Sequence, residues 1–215
     1  MNNVLKLNLG SGPDAPVGWI NADYSFTARL SKTGPLYGFM CKLYRVKQLP
    51  WPKDVKILDA SKRFPFDDNS IDVIFSSHVL EHLSFEGADS MIKECYRCLC
   101  KDGVLRIIIP DLYKMAKKYI DLTSLRQEGR NAFKFMEELG MAEERHRGVI
   151  GLISKLFGSS RHLYMYDEWS LKEILEKYKF KNIRKMSYGQ SQVPDITAVE
   201  QQHRHALSVC LECIK

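Results

Sequence analysis

Short apolar runs alternate with longer stretches of helical period along this chain, and that alternation predicts a parallel sheet with helices on both faces. Leu5–Leu9, Lys56–Leu58, Val73–Phe75 and Val104–Ile109 read as buried strands, with Trp19–Ala22 as a weaker candidate for an edge. From Glu86 to Leu99, Met91, Ile92, Cys95 and Leu99 recur at helical spacing, and Lys101-Asp102-Gly103 then supplies a basic last turn and a glycine stop. Asp167–Tyr178 repeats the plan, with Trp169, Leu171, Ile174 and Leu175 in period and Asp167 placed to cap. Ile183–Met186 and Ala206–Ile214 read as a closing pair of strands. The expected fold class is α/β, a mostly parallel, doubly wound sheet.

Two stretches break the rhythm. Gly34–Pro52 is rich in aromatic residues and bounded by prolines, and Leu112–Gly158 is mostly helical and too long for an ordinary connection after the Val104 strand. Both are expected to be lid or cap insertions over the strand ends of a single domain spanning residues 1–215. Within the second, Gly148–Phe157 carries Val149, Ile150, Leu152, Ile153, Leu156 and Phe157. It reads as a lid helix packing its apolar face on the core, with contact to a membrane surface or a lipid-linked substrate as the alternative.

Composition narrows the classes. The 215 residues are 45% hydrophobic and 27% charged, and no apolar run reaches the roughly 18 residues that span a bilayer, so an integral membrane protein is excluded. Bases exceed acids by 32 to 26 without a block of like charge, so nucleic acid is not an expected partner. Met1–Lys6 lacks the basic and apolar regions of a secretion signal, which predicts a cytoplasmic location. There the six cysteines are expected as reduced thiols. Nothing in the pattern sets the oligomeric state.

Chemistry gathers where strands end. Gly10-Ser11-Gly12-Pro13-Asp14-Ala15 satisfies the G-x-G-x-x-A fingerprint of dinucleotide binding, but Pro16 and Gly18 interrupt the helix that would seat a pyrophosphate. Asp23 follows Gly12 by only 11 residues, which is too close for the dinucleotide pattern. What remains is a turn where bare backbone can approach a ligand, Asp23 placed to accept ribose hydroxyls, and Asp59 placed to accept from an adenine amino group. A nucleoside without phosphates suits that set. His78-Val79-Leu80-Glu81-His82 formally matches the zinc motif H-x-x-E-H, yet His78 falls at a strand end and is not expected to share a face with His82, so no metal is expected there. Cys95 and Cys98 share the apolar face of a helix, and Cys210 and Cys213 have opposite parity on a strand, which argues against a cysteine metal site. Asp111, after Ile107-Ile108-Ile109-Pro110, either orients a ligand or caps the next helix. Arg161, His162, Tyr164 and Tyr166 are candidates for binding a second substrate, and His203, Arg204 and His205 precede the last strand where they can reach the same mouth.

Five segments between Leu5 and Asp111 also carry a resemblance: Leu7–Gly12, Gly18–Asp23, Asp59 with Phe64-Pro65-Phe66, Ser76–His82 and Tyr96–Gly103. Together they resemble the class I S-adenosylmethionine-dependent methyltransferases, especially small ones associated with polysaccharide and cell-envelope biosynthesis. Asp14 stands where that family has its third glycine, and Lys101-Asp102-Gly103 where it has Pro-Gly. The resemblance implies a Rossmann-like fold with S-adenosylmethionine as cofactor. It places cofactor contacts at Asn8, Gly10, Ser11, Gly12, Asp23, Tyr24, Asp59, Ala60, Ser77 and His78. Methyl transfer to a small-molecule or glycan-linked acceptor is the implied reaction, with oxygen as the expected acceptor atom. Alignment of donor and nucleophile then provides most of the acceleration, and a base is useful only for a hydroxyl acceptor. His78 is the first candidate for that base, with Asp111 and His162 behind it. A nicotinamide-dependent oxidoreductase and an inactive nucleoside-binding module are the competing readings.

Overall fold

The computed structural model describes residues 4–126, 128–141 and 161–215. Its sheet runs β3-β2-β1-β4-β5-β7-β6, with β1 at Lys6–Leu9, β2 at Ile20–Asp23, β3 at Lys56–Ile57 and β4 at Ile71–Ser77. β5 spans Leu99–Pro110, β6 Lys181–Lys185 and β7 Ser208–Ile214. The first five strands pair in parallel, whereas β7 enters antiparallel between β5 and β6. After β1 the chain builds outward to β2 and β3, then returns to lay β4 on the other side of β1. The crevice outside the carboxyl ends of β1 and β4 is therefore the switch point where open α/β sheets bind ligands.

Helices flank this sheet: α1 (Phe26–Ser31), α2 (Tyr37–Tyr44), α3 (Phe85–Cys98), α4 (Leu112–Leu125), α5 (Arg130–Glu138) and α6 (Glu168–Lys177). The Ser84 hydroxyl caps α3 by accepting from the Gly87 amide, and Asp167 with Ser170 forms a reciprocal capping box on α6. The apolar face of α3 and Leu171 and Leu175 of α6 bury against Leu7, Leu9, Ile74, Leu105 and Leu211 on one side of the sheet. On the other side Trp19, Val73, Phe75, Ile108 and Cys210 pack with Val193 and Ile196, which come from an irregular segment. Cys210 and Cys213 thus lie on opposite faces, as their parity requires.

Three expectations shift. β2 is an interior strand with β1 and β3 on its two sides, and the edge is β3, whose two residues are exposed. Trp19–Ala22 resembled an edge because of Asn21, but Asn21 is only 4% exposed and its amide is fully engaged by neighbouring backbone and Asn8. The stop after α3 is not made by a glycine either. The chain passes straight into β5, Asp102 takes the left-handed conformation (φ 63°), and Gly103 is needed for closeness, since a Cβ there would sit 2.9 Å from the Cys100 carbonyl oxygen. Of the two insertions, Gly34–Pro52 carries α2, which packs on α1, and 112–158 begins with α4 and α5 packed on each other; the remainder of the second, including Gly148–Phe157, lies outside the described residues. Among the described residues no helix is long and apolar enough to cross a membrane.

Candidate active site

The glycine turn is built by backbone. Gly10 and Gly12 both have positive φ, at 77° and 60°, and the amides of Gly10 and Ser11 donate to the Ala22 carbonyl at the tip of β2. A Cβ on Gly10 would lie 2.1 Å from Cγ2 of Val79, so the turn sits directly on the segment that follows β4. A Cβ on Gly12 would meet nothing within 4 Å, which leaves its surface open to a ligand. From Gly12 to Trp19 the chain makes turns and no helix, so the seat for a pyrophosphate is missing as expected.

Two acids border the turn. Asp23 Oδ2 accepts from the Gly12 amide at 3.0 Å and Oδ1 from the Ser25 amide at 2.7 Å, which locks turn to strand. A carboxylate keeps lone pairs beyond those two bonds, so ribose hydroxyls still have acceptors there. Asp59 Oδ1 accepts from the amide and hydroxyl of Ser61, and Ala60 is buried beside it. Tyr24 is exposed next to Asp23, with the Arg29 guanidinium 4.6 Å from its ring centroid. The hydroxyls of Ser76 and Ser77, at the end of β4, are buried without a hydrogen-bond partner. Orphan polar atoms beside an open glycine turn and paired acids are what a bound adenosine would satisfy, so the residues present fit S-adenosylmethionine. Asn8 stands apart: it is 3% exposed and its amide donates to Asn21, so its side chain fastens the 16–21 loop instead of facing the crevice.

His78 ends β4 in the left-handed conformation (φ 56°), and both ring nitrogens are engaged. Nε2 donates to the Arg204 carbonyl at 3.1 Å, while Nδ1 lies 3.2 Å from Oε1 of Glu81. Because a carbonyl only accepts, Nε2 holds a proton, and Nδ1 is left facing Glu81. Glu81 is 1% exposed. It sits in a three-residue 3-10 turn, Leu80–His82, ahead of α3. Its own carbonyl receives the amides of Leu163 and Tyr164, which draws residues 161–166 over the site.

That strap brings His162 against His82, ring centroids 4.9 Å apart. Burial lowers the His162 pKa, with the Glu81 charge opposing it, and burial raises the Tyr166 hydroxyl to about 12 with help from Tyr164 and Glu81. His205 pairs with Glu200 at 3.3 Å and Arg204 reaches the Ser77 carbonyl, so the 202–207 stretch does close this mouth, while His203 is exposed. Asp111 is the N-cap of α4: Oδ1 accepts from the Lys114 amide and Oδ2 faces Lys114 Nζ at 3.6 Å. With 2% exposure it has the capping role of the two that its position allowed. All six cysteines are free, and burial pushes the thiols of Cys95 and Cys210 up, which keeps them protonated. An open cleft of about 430 Å³ lies away from this edge, around Asp68, Arg97, Lys177 and Lys215, but its charges are spent on one another and on backbone, as in Arg97–Asp68 at 2.6 Å.

Sequence reasoning missed the convergence of Glu81 with His162, the use of the Arg204 carbonyl, and the orphan hydroxyls of Ser76 and Tyr166. The buried register of Ser76 in a strand was the available signal for the first of those hydroxyls.

Comparison with known proteins gives the class. Residues 7–107 match the family model described as "Methyltransferase domain". Among solved structures, a SAM-dependent methyltransferase from Archaeoglobus fulgidus is similar at 15% identity and TM-score 0.50, over 99% of this chain and 86% of that one. One from Thermotoga maritima, titled a possible histamine N-methyltransferase, aligns at 15% identity and TM-score 0.49 over 98% and 82% of the two chains. A Haemonchus contortus phosphoethanolamine N-methyltransferase in complex with phosphomonomethylethanolamine and S-adenosylhomocysteine aligns at 14% identity and TM-score 0.49, over 100% of this chain and 49% of that one. No curated protein sequence matches. The fold is the Rossmann-like fold of those methyltransferases, and residues 7–107, which end inside β5, are similar to their methyltransferase domain.

Proposed function

We propose that the enzyme methylates a hydroxyl oxygen on a small-molecule or glycan-linked acceptor, of the kind found in polysaccharide and cell-envelope biosynthesis. The observation that supports it is the contact between the Gly10 turn and the Val79 segment, which puts His78 and the buried Glu81 beside the glycine turn. S-adenosylmethionine, when bound, supplies an electrophilic methyl group on a sulfonium. In this reading Gly10, Ser11 and Gly12 offer backbone, Asp23 and Tyr24 hold the ribose side, Asp59 and Ala60 the adenine side, and Ser77 and His78 border the reacting end. A hydroxyl must lose its proton as its oxygen attacks, and His78 is assigned as the group that takes it, with Glu81 balancing the charge on the ring. His162 and the 161–166 strap cover the acceptor and exclude water, while Asp111 acts through the placement of α4. We further place the enzyme in the cytoplasm as a single domain, with Gly34–Pro52, which carries α2, and the insertion that begins with α4 and α5 as its lids.

A nicotinamide reading fits less well, because residues 12–19 form no helix after the glycine turn. The test is transfer of labelled methyl from S-adenosylmethionine to fractionated small molecules and glycans. The expected product is an alkali-stable methyl ether. His78→Gln is expected to lower kcat by about 10²–10⁴-fold while cofactor affinity stays within about tenfold, the usual span for loss of a proton-transfer group. Full turnover by that variant, or label recovered only as an amine or an ester, contradicts the proposal.

A further inference from the structure

We propose that Glu81, His82 and His162 form a binding site for one divalent transition-metal ion of the zinc type, beside the methyl-transfer crevice. One ligand atom from each of the three lies within 4.8 Å of the others. The second observation is independent of that spacing: Glu81 is 1% exposed and neither carboxylate oxygen has a hydrogen-bond partner, although Oε1 faces His78 at 3.2 Å. A buried carboxylate with vacant lone pairs costs several kcal/mol unless a cation satisfies it. His78 faces Oε1 only, and ligand atoms of the two histidines lie near the carboxylate as well.

The histidines are prepared as ligands. His82 Nδ1 lies 3.0 Å from the Arg161 carbonyl, and donation there fixes the tautomer that leaves the lone pair on Nε2. The buried Nδ1 of His162 makes no well-formed hydrogen bond. Around the site, His78 stands as an outer partner of Glu81. Metal–ligand distances of about 2.0–2.2 Å in a tetrahedron put donors about 3.4 Å apart, so binding draws the three side chains together by about an ångström.

Two imidazoles and one carboxylate select zinc-type ions over magnesium, whose preference is for an all-oxygen octahedron. Three protein ligands leave a fourth position open, the arrangement of catalytic sites. An acceptor hydroxyl placed there would be held with its proton acidified. The sequence motif H-x-x-E-H does not describe this site. Its first histidine is not among the three, and the third ligand arrives from residue 162, on a strap that no local spacing reveals.

That catalytic use rests on the methyl-transfer reading, but the site does not, so binding is measured without cofactor. The full chain is stripped with EDTA and titrated calorimetrically with Zn²⁺, Mn²⁺ and Mg²⁺. The expected result is one Zn²⁺ per chain, with Mg²⁺ far weaker. His162→Asn and Glu81→Gln are expected to weaken Zn²⁺ by more than about 100-fold, beyond the loss seen for outer-shell partners. His203→Asn, at an exposed histidine, leaves it unchanged. Cooperative melting and S-adenosylmethionine binding establish that each variant is folded, and Co²⁺ substitution gives a visible tetrahedral spectrum that His162→Asn abolishes. No Zn²⁺ binding by the wild-type chain, binding that survives both ligand variants, equal loss in His203→Asn, or Mg²⁺ bound as tightly as Zn²⁺ overturns the proposal. Failure of S-adenosylmethionine to bind the same preparation would instead strike the methyl-transfer reading and leave this one standing.

Discussion

Arg106→Met is expected to destabilise the enzyme by about 3–5 kcal/mol, the cost of leaving buried charges without their partner. Arg106 is the largest fully buried side chain, in the middle of β5 and on the face it shares with Val104 and Ile108. Its Nη2 lies 2.5 Å from Glu200 Oε1 and its Nη1 2.9 Å from Glu212 Oε2, while Nη1 and Nη2 also donate to the Gln190 and Ser187 carbonyls. Glu212 is its cross-strand partner on β7, and Glu200 comes from the irregular segment that covers this face. Removal of the guanidinium strands two carboxylates in the interior and detaches the segment whose Arg204 carbonyl receives His78. For a chain of this length the melting temperature falls by about 6–20 °C. Adding Glu200→Gln and Glu212→Gln to Arg106→Met should recover part of that loss, because it removes the charges left behind. Thermal melts of the wild type, the single variant and the triple variant measure both effects.

Gly10→Ala is expected to cost about 2–5 kcal/mol and to impair cofactor binding with it. A left-handed backbone costs a residue with a Cβ about 1–2 kcal/mol. To that is added the overlap of the new methyl with Val79 Cγ2 at 2.1 Å, and overpacking costs about 1–3 kcal/mol. Valine is stiff at χ1, so relief comes only by moving the backbone between His78 and Glu81. Gly12→Ala shares the positive φ but meets no atom within 4 Å, so it carries only the conformational cost of about 1–2 kcal/mol. Equal melting temperatures for the two variants would contradict the packing described here.

Much of the sheet was legible because buried parallel strands leave continuous apolar runs, as in Ile107-Ile108-Ile109, and because a glycine turn with positive φ tolerates few other residues. β2 was misplaced to an edge because Asn21 puts a polar group in its interior, where Asn8 of β1 satisfies it. β3 was overestimated because Val55 and Leu58, both buried, flank two residues that are exposed. The strand-end positions of Gly10, Gly12, Asp23 and Asp59 were legible in the sequence. Contacts closed by long loops were not: Glu81 meets His162, and Arg106 meets Glu200 and Glu212, across distances in the chain that no periodicity encodes. One signal was present for the second, since a lone arginine at an inward position of a buried strand demands an acidic partner elsewhere.

Methyl transfer at this edge requires an adenosine bound across the carboxyl ends of β1, β2 and β3, against the Gly10–Gly12 turn. Calorimetric titration of the purified chain with S-adenosylhomocysteine, S-adenosylmethionine and NAD, on wild type and Asp23→Ala, tests that placement most directly. The expected result is one site for each sulfur compound, none for NAD, and affinity weakened about 10–100-fold in Asp23→Ala, matching about 1.5–3 kcal/mol for hydrogen bonds to a charged acceptor. Absence of binding by both sulfur compounds, or affinity untouched by the loss of Asp23, would contradict it.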